Sequence, residues 1–247
     1  GAPLFDEIVL GERCGVHEDC DGLRIVSRGI TCFKVRVFGD QMHSSLTDQF
    51  PVVNAVDHMT QLFVGLKAAF RPTFPPHPLC TNGPTVNLGV KTLGGVGFGV
   101  NPGMAEFWCD VRTTPGMTAE QFDHDLQSAL VEAAAQIPGI RYEYEYRTPL
   151  AWLEPTEVGA GAPLTVACQE AFHRATGREI VPSAFAGASD AYPFQFIAGI
   201  PTIAAFGPGL LTPAHGPNEW ISLQSLLEAP AIYAELILTY LDPARTS

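Results

Sequence analysis

The chain has 247 residues, 46% of them hydrophobic, which suits one large domain or two modest ones with their own cores. Its 26 acidic side chains outnumber 14 basic ones, and the formal net charge of -12 makes the average surface repel phosphate backbones and anionic bilayers, so neither nucleic acid nor membrane is expected as a partner. The longest apolar run, AIYAELILTYL, contains a glutamate, follows a proline and is shorter than the roughly 20 residues a spanning helix needs.

In chain order, DEIVLGE reads as a buried strand ending at Gly11. The chain enters it almost at once, so further sequence upstream is expected. GITCFKVRVFG alternates, with Phe33, Val35 and Val37 on one face and Lys34 and Arg36 on the other. Asn54 caps a helix whose stripe is Ala55, Met59, Leu62, Phe63 and Leu66, and the proline-rich RPTFPPHP follows it. Next come two strands, PTVNLGVKTLGG and GMAEFWCDVRT; in the second, Glu106, Trp108, Asp110 and Arg112 share a face. Thr118 opens an amphipathic helix through Phe122, Leu126, Leu130 and Ala133, and IRYEYEYR closes the series with strict alternation. Strand, helix, strand, strand, helix, strand is the split ferredoxin-like order.

From about Pro149 helices and strands alternate. A helix on Leu164, Ala167, Ala171 and Phe172 precedes the strand GIPTIAAFG, and a helical region from Leu223 to Leu241 follows, with Pro230 expected to kink or split it. The predicted fold class is α/β, a mostly parallel-sheet domain made of residues 1–28 and 150–247 with a ferredoxin-like α+β module, residues 29–149, inserted into it.

Six cysteines, Cys14, Cys20, Cys32, Cys80, Cys109 and Cys168, form no C-x-x-C pair. They read as reduced thiols of a cytoplasmic protein, with Cys14 and Cys20 near enough for a local bridge.

Residues capable of chemistry lie at loop positions. Glu12 follows a buried strand at its carboxyl end, where α/β sheets place their sites, and an ordinary solvated glutamate is the alternative. His215 lies beyond another strand in TPAHGPNEW, where Pro213 and Pro217 stiffen the loop in a way that suits a metal ligand; an ordinary loop histidine is the competing reading. Gly187, Ser189 and Asp190 form a turn before a helix, open to anion binding or to simple capping. The Arg112 fork fits a carboxylate, from a ligand or from Asp110 or Glu106. His43 stands in the turn GDQMHSS, as an oxyanion donor or a surface histidine. The G-x-G of GVGFGVNPG lacks the flanking strand and helix of a dinucleotide site, and no G-x-S-x-G elbow supports a triad of Ser189, His215 and Asp190.

Taken in order, IVLGE, GDQMHSSLTDQFPVVNAV, GGVGFGVNPGMAEFWCDVRTTPG, AGASDAYPF, AGIPTIAAFGPG and AHGPNEWIS resemble the zinc-dependent family of aminoacylases, acetylornithine deacetylases, succinyl-diaminopimelate desuccinylases and carboxypeptidases, from about Glu7 to Leu241. The resemblance implies a hydrolase of amide or peptide bonds in N-acyl amino acids or small peptides with a free carboxylate. It implies two zinc ions, with cobalt or manganese as substitutes, and a homodimer formed through the inserted lid. Glu12 then stands where the family's G-E-P-T glutamate binds one zinc, with Arg13 replacing the proline, and His215 stands where a histidine binds the other. Glu219 supports that loop. His43 matches the lid histidine that stabilises the oxyanion in a neighbouring subunit's site, Arg112 the lid arginine that grips the substrate carboxylate, and the Gly187 to Ser189 turn another part of that pocket. The family's lid asparagine falls at Gly99, which leaves Asn101, beside Pro102, as the candidate amide contact. The family's H-x-D pair, bridging aspartate and E-E pair have no counterpart, so a missing N-terminal segment or companion chain is expected, and this chain alone is expected to be inactive. Alternatives are a non-catalytic dimerisation or carboxylate-binding protein and a metal-independent hydrolase using Ser189.

Overall fold

The computed structural model describes residues 6–241, and the chain segregates into two units. Of the described residues, one takes those up to Gly29, the short stretch His77–Thr81 and those from Glu154; the other takes Ile30–Pro76 and Asn82–Leu153.

The first unit begins with β1 (Ile8–Val9), β2 (Arg13–Gly15) and β3 (Leu23–Ser27). The second supplies β4 (Gly29–Phe38), β5 (Met42–His43), α1 (Ala55–Ala69), β6 (Thr85–Gly94), β7 (Val100–Asn101), β8 (Met104–Thr113), α2 (Ala119–Ala134) and β9 (Arg141–Tyr146). The chain then returns to the first unit with β10 (Thr156–Glu157), α3 (Pro163–Thr176), β11 (Pro182–Phe185), β12 (Thr202–Ile203), β13 (Gly207–Leu210) and α4 (Leu223–Tyr240). This is a mixed α/β chain, as its sequence pattern predicts.

In the second unit the main sheet runs β6-β8-β4-β9, the strand order of a ferredoxin-like fold. The predicted alternation of β4 places Phe33, Val35 and Val37 in the core, where Phe107, Val111, Leu62, Leu66, Phe122, Leu126 and Leu130 meet them. Both helices start where their caps predict. The Asn54 side chain accepts the amides of Val56 and Asp57, and Thr118 Oγ1 accepts that of Gln121.

In the first unit three strand pairings are parallel, β1 with β12, β11 with β3 and β13 with β2, whereas β10 runs antiparallel to β3. Leu23, Ile25 and Val26 of β3 pack with Phe172 of α3 and with Ile232 and Leu236 of α4. The strand predicted over DEIVLGE is shorter than expected: only Ile8 and Val9 pair, and the chain leaves the sheet before Gly11.

Two features of this unit depart from simple patterning. First, α4 continues unbroken through Pro230, which corrects the expected split. Pro230 lies on the exposed side, where the missing amide leaves an acceptor facing water. Second, α4 buries Ser225, Ala229 and Thr239 beside Ile232 and Leu236, while Leu223, Leu226, Leu227, Ile237, Leu238 and Leu241 are exposed. Those six, with Pro230, Ala231 and Ala234 between them, form an apolar stripe along the outer side of the helix.

The link from β2 to β3 wraps around one carboxylate. Asp21 accepts the amides of Val16, His17 and Glu18 and pairs with Arg24, which is 6% exposed. Arg24 Nε also donates to the Cys14 carbonyl at 2.6 Å, and its Nη1 donates to Ser183 Oγ at 2.8 Å. Burial works against the Asp21 charge, but the His17 amide, the Arg24 guanidinium and the other two amides outweigh it and hold the pKa below its ordinary 3.8. A depressed carboxyl stabilises the fold fully above its unfolded pKa, and that contribution is lost as pH falls through the folded value. Asp21→Asn should therefore cost about 2 kcal/mol at neutral pH and remove part of the acid dependence below about pH 4, read from urea melts at several pH values.

Candidate active site

Glu12 and His215 are separated by 203 positions in sequence but lie in the same unit, on segments joined by β2 and β13. The route begins with β1: Leu10 donates its amide to Ile203, and Phe206 donates its own back to the Leu10 carbonyl. Gly11 and Glu12 follow, and Arg13 then pairs with Gly207 at the start of β13. This approach is too close for a side chain. A Cβ on Gly207 would fall on the Gly11 carbonyl and lie 2.7 Å from the Glu12 carbonyl. Glycine at 207 is thus what lets β13 lie against the segment that presents Glu12.

Beyond β13, the amide of Leu211 returns to the Gly15 carbonyl and the chain turns twice, Ala214 onto Leu211 and Gly216 onto Pro213. His215 takes a left-handed backbone, φ 63°, which is rare for a residue with a Cβ. Such a conformation costs on the order of 1–3 kcal/mol and persists where neighbouring contacts fix it. Here the fixing contact is Glu219. One of its oxygens accepts the His215 amide at 2.8 Å, and the other accepts Arg13 Nη2 at 2.6 Å. The Arg13 guanidinium, followed by the His215 amide, holds the Glu219 carboxyl below its usual pKa. Arg13, which stands where the family resemblance would place a proline, thereby ties the residue next to Glu12 to the loop of His215.

Partial desolvation raises the Glu12 pKa, and the Asp190 charge raises it further against the opposing pull of Arg13 and His215. Glu12, Asp190, Arg13 and His215 therefore share one electrostatic locality. Among the described residues no group of three His, Cys, Asp or Glu side chains is placed to hold a metal ion. The Gly187 to Ser189 turn is engaged locally: the Gly187 carbonyl accepts the Arg28 amide, and Ser189 Oγ accepts that of Ala191.

The second unit positions the other candidates. His43 ends β5, which pairs with β7 so that His43 stands opposite Val100. Its Nδ1 accepts the Ser45 amide at 3.3 Å and faces Ser45 Oγ at 2.8 Å. An accepting Nδ1 requires the neutral ring to carry its proton on Nε2, so the exposed imidazole is a ready donor. Arg112, on β8, closes its fork on Asp110, Nε to Oδ1 at 2.8 Å and Nη2 to Oδ2 at 3.0 Å. Asn101 is buried and gives both amide hydrogens to main-chain carbonyls, those of Asp40 and Val53, a different employment from the substrate contact expected of it. On the same sheet face as Arg112, the Trp108 ring has Lys91 at 4.7 Å, Arg147 at 4.8 Å and Lys34 at 5.8 Å. Alternation along β8 predicted that Trp108 and Arg112 share this face, but nothing local in sequence pointed to the cations gathered from β4, β6 and the end of β9.

Residues 16–239 match the model of peptidase family M20/M25/M40. The chain belongs to this family. An acetylornithine deacetylase of Erwinia tasmaniensis is 25% identical over 244 residues, a match covering 96% of this chain and 60% of that protein. A di-peptidase of Saccharomyces cerevisiae has the same fold with a TM-score of 0.77 at 12% identity, over 95% of this chain and 59% of its own. Human carnosine dipeptidase 1 matches with a TM-score of 0.69 at 15% identity, over 95% and 59%. An M20 family metallo-carboxypeptidase of Sulfolobus solfataricus matches with 0.68 at 17%, over 95% and 63%. This family member thus spans about 60% of the length of the relatives it matches.

Two substitutions test how the M20 loop of His215 is held. Glu219→Ala should speed exchange of the His215 amide about tenfold, because that amide loses its acceptor, with amide exchange read by NMR. Gly207→Ala should lower unfolding free energy by about 2 kcal/mol or more in urea, because the added methyl meets main-chain oxygens that cannot move aside.

Proposed function

We propose that this chain supplies part of the active site of a metal-dependent hydrolase that cleaves an amide or peptide bond in an N-acyl amino acid or small peptide bearing a free carboxylate. The observation that carries this reading is the convergence of Glu12 and His215 through the Arg13, Glu219 and His215 chain of contacts. A carboxylate and an imidazole, each beyond a parallel strand, suit a divalent ion, and the strain held at His215 is what aiming a ligand calls for. Zinc takes three or four protein ligands, so these two are a fraction of a site. Zinc is the expected ion, two per complete enzyme, with cobalt or manganese as substitutes. When bound, such ions polarise the scissile carbonyl and make a bound water acidic enough to yield hydroxide near neutral pH.

The remaining groups have separable roles. His43, its Nδ1 engaged by Ser45, offers Nε2–H to the oxygen that gains charge as the carbonyl is attacked. Arg112 binds the substrate carboxylate in exchange for Asp110, trading one two-point contact for another. The Gly187 to Ser189 turn is a further candidate for substrate contact within the first unit. Dimerisation through the second unit is supported by β6, an edge strand of its sheet. The dispersed thiols suit a cytoplasmic enzyme.

The other ligands and the general base come from further polypeptide, in the same protein or in a companion chain. The apolar outer stripe of α4 supports this, since each leucine covered there would gain roughly 1.5–3 kcal/mol. Isothermal titration of the purified chain with zinc should show weak binding, reduced at least about tenfold by His215→Ala, and assays on N-acetyl amino acids and dipeptides should show no turnover until a polypeptide carrying the missing ligands is added. Metal-dependent turnover by this chain alone would overturn the partition of the site.

A further inference from the structure

Two thiols in the first unit stand apart from the other cysteines. Cys14, in β2, is 1% exposed, and Cys20, at the end of the following turn, is partly exposed. The turn is tight: the amides of Val16, His17 and Glu18 all converge on the Asp21 carboxylate, and a Cβ on Gly15 would lie 2.5 Å from the Glu18 carbonyl. Cys20 completes it in a left-handed conformation, φ 52°. The path brings Cys20 back to Cys14. Both pack in one small cluster with Phe185, Ala204 and Ala205, and Cys20 Sγ lies 3.8 Å from the Gly207 carbonyl, in the strand paired with β2.

The pair is chemically asymmetric. The hydrogen bond from Cys14 holds the Cys20 thiol below its ordinary pKa; Arg178 adds to this, while burial, Asp19 and Glu228 oppose it. Outside the pair, every cysteine is displaced upward by burial where a shift is resolved, Cys109 to about 12. Cys20 borders a cleft with Pro208, Ser225 and Glu228, and Cys14 lies behind it in the same cluster.

We propose that Cys14 and Cys20 form a peroxide-sensitive dithiol that closes to an internal disulfide. In the first step the Cys20 thiolate attacks one oxygen of a hydroperoxide, the O–O bond breaks, Cys20 becomes a sulfenic acid and the other oxygen leaves as water or alcohol after taking a proton. In the second, Cys14 sulfur attacks the sulfenic sulfur, the S–O bond breaks, and the hydroxide leaves as water with the Cys14 proton. Two thiols are oxidised by two electrons and one peroxide is reduced. Exchange with a small dithiol reverses the closure. This device stands independently of the hydrolytic reading, although it sits beside Arg13, which holds the loop of His215 through Glu219.

The test treats the reduced chain with a small excess of hydrogen peroxide, blocks remaining thiols with N-ethylmaleimide and maps the peptides by mass spectrometry. The expected result is a Cys14–Cys20 cross-linked peptide lacking two hydrogens, restored by dithiothreitol, with Cys20 reacting about tenfold faster than Cys32, Cys80, Cys109 or Cys168. In Cys14→Ser, Cys20 should stop at the sulfenic acid and be captured by dimedone. Oxidation of Cys32 or another cysteine while Cys14 and Cys20 stay alkylatable would overturn the proposal, as would over-oxidation of Cys20 in the unaltered chain without a cross-link. Because the unaltered chain gives the deciding readout, misfolding of the variant leaves the test intact.

Discussion

A carboxylate shared between a guanidinium and a backbone amide holds the candidate site together. Glu219 faces Arg13 from one side and the His215 amide from the other, and it does so at a partly exposed position where an ion pair adds little to global stability. Its value is positional. The His215 backbone occupies a region that side chains avoid, and without a fixed acceptor for its amide the loop would relax into commoner conformations. The approach of β13 to the Glu12 segment at Gly207 performs the complementary task, because it sets how near the strand leading to the histidine loop can come to the acid. Site geometry here depends less on core volume than on one small residue and one bridging acid.

The second unit follows a different logic. A four-stranded sheet with one face under α1 and α2 has a dry side and a polar side, and the dry side is ordinary packing of Phe33, Phe107, Phe122 and their neighbours. Chemistry is therefore confined to the other face and to the strand ends. There Arg112 and Trp108 lie on β8, with alternating acids and bases from β4 and β9 around them. Three cations surround one indole there, Lys34 paired with Glu145 and the indole N–H donating to Glu106.

Much of this was legible in the residues themselves. Asn54 and Thr118 announced two helices because a capping side chain satisfies amides only a few positions away, and β4 announced its two faces because alternation is also local. Glu12 and His215 stood out through family motifs, since each alone is an unremarkable loop residue. What sequence did not reveal depends on distant pairs. Arg13 and Glu219 are 206 positions apart, so their contact leaves no local trace, and Arg13 looked like a mere departure from the family pattern. Asn101 is a related case: named in sequence as a candidate amide contact, it is turned inward by the pairing of β5 with β7 and donates to two carbonyls from other segments. Pro230 was expected to break α4, yet a proline on a solvent-facing side costs the helix one internal bond whose acceptor water can satisfy.

The inverted dressing of α4 bears on how this polypeptide behaves in a test tube. With Ser225 and Thr239 inside beside Ile232 and Leu236, and six leucines and isoleucines outside, water wets the greasier side of an already folded helix. Folding does not relieve that exposure, so gentle refolding offers no remedy for clumping. What keeps separate molecules apart is mutual repulsion of like-charged surfaces, and concentrated salt, which screens that repulsion and strengthens apolar association at once, should be the quickest way to turn a clear solution cloudy.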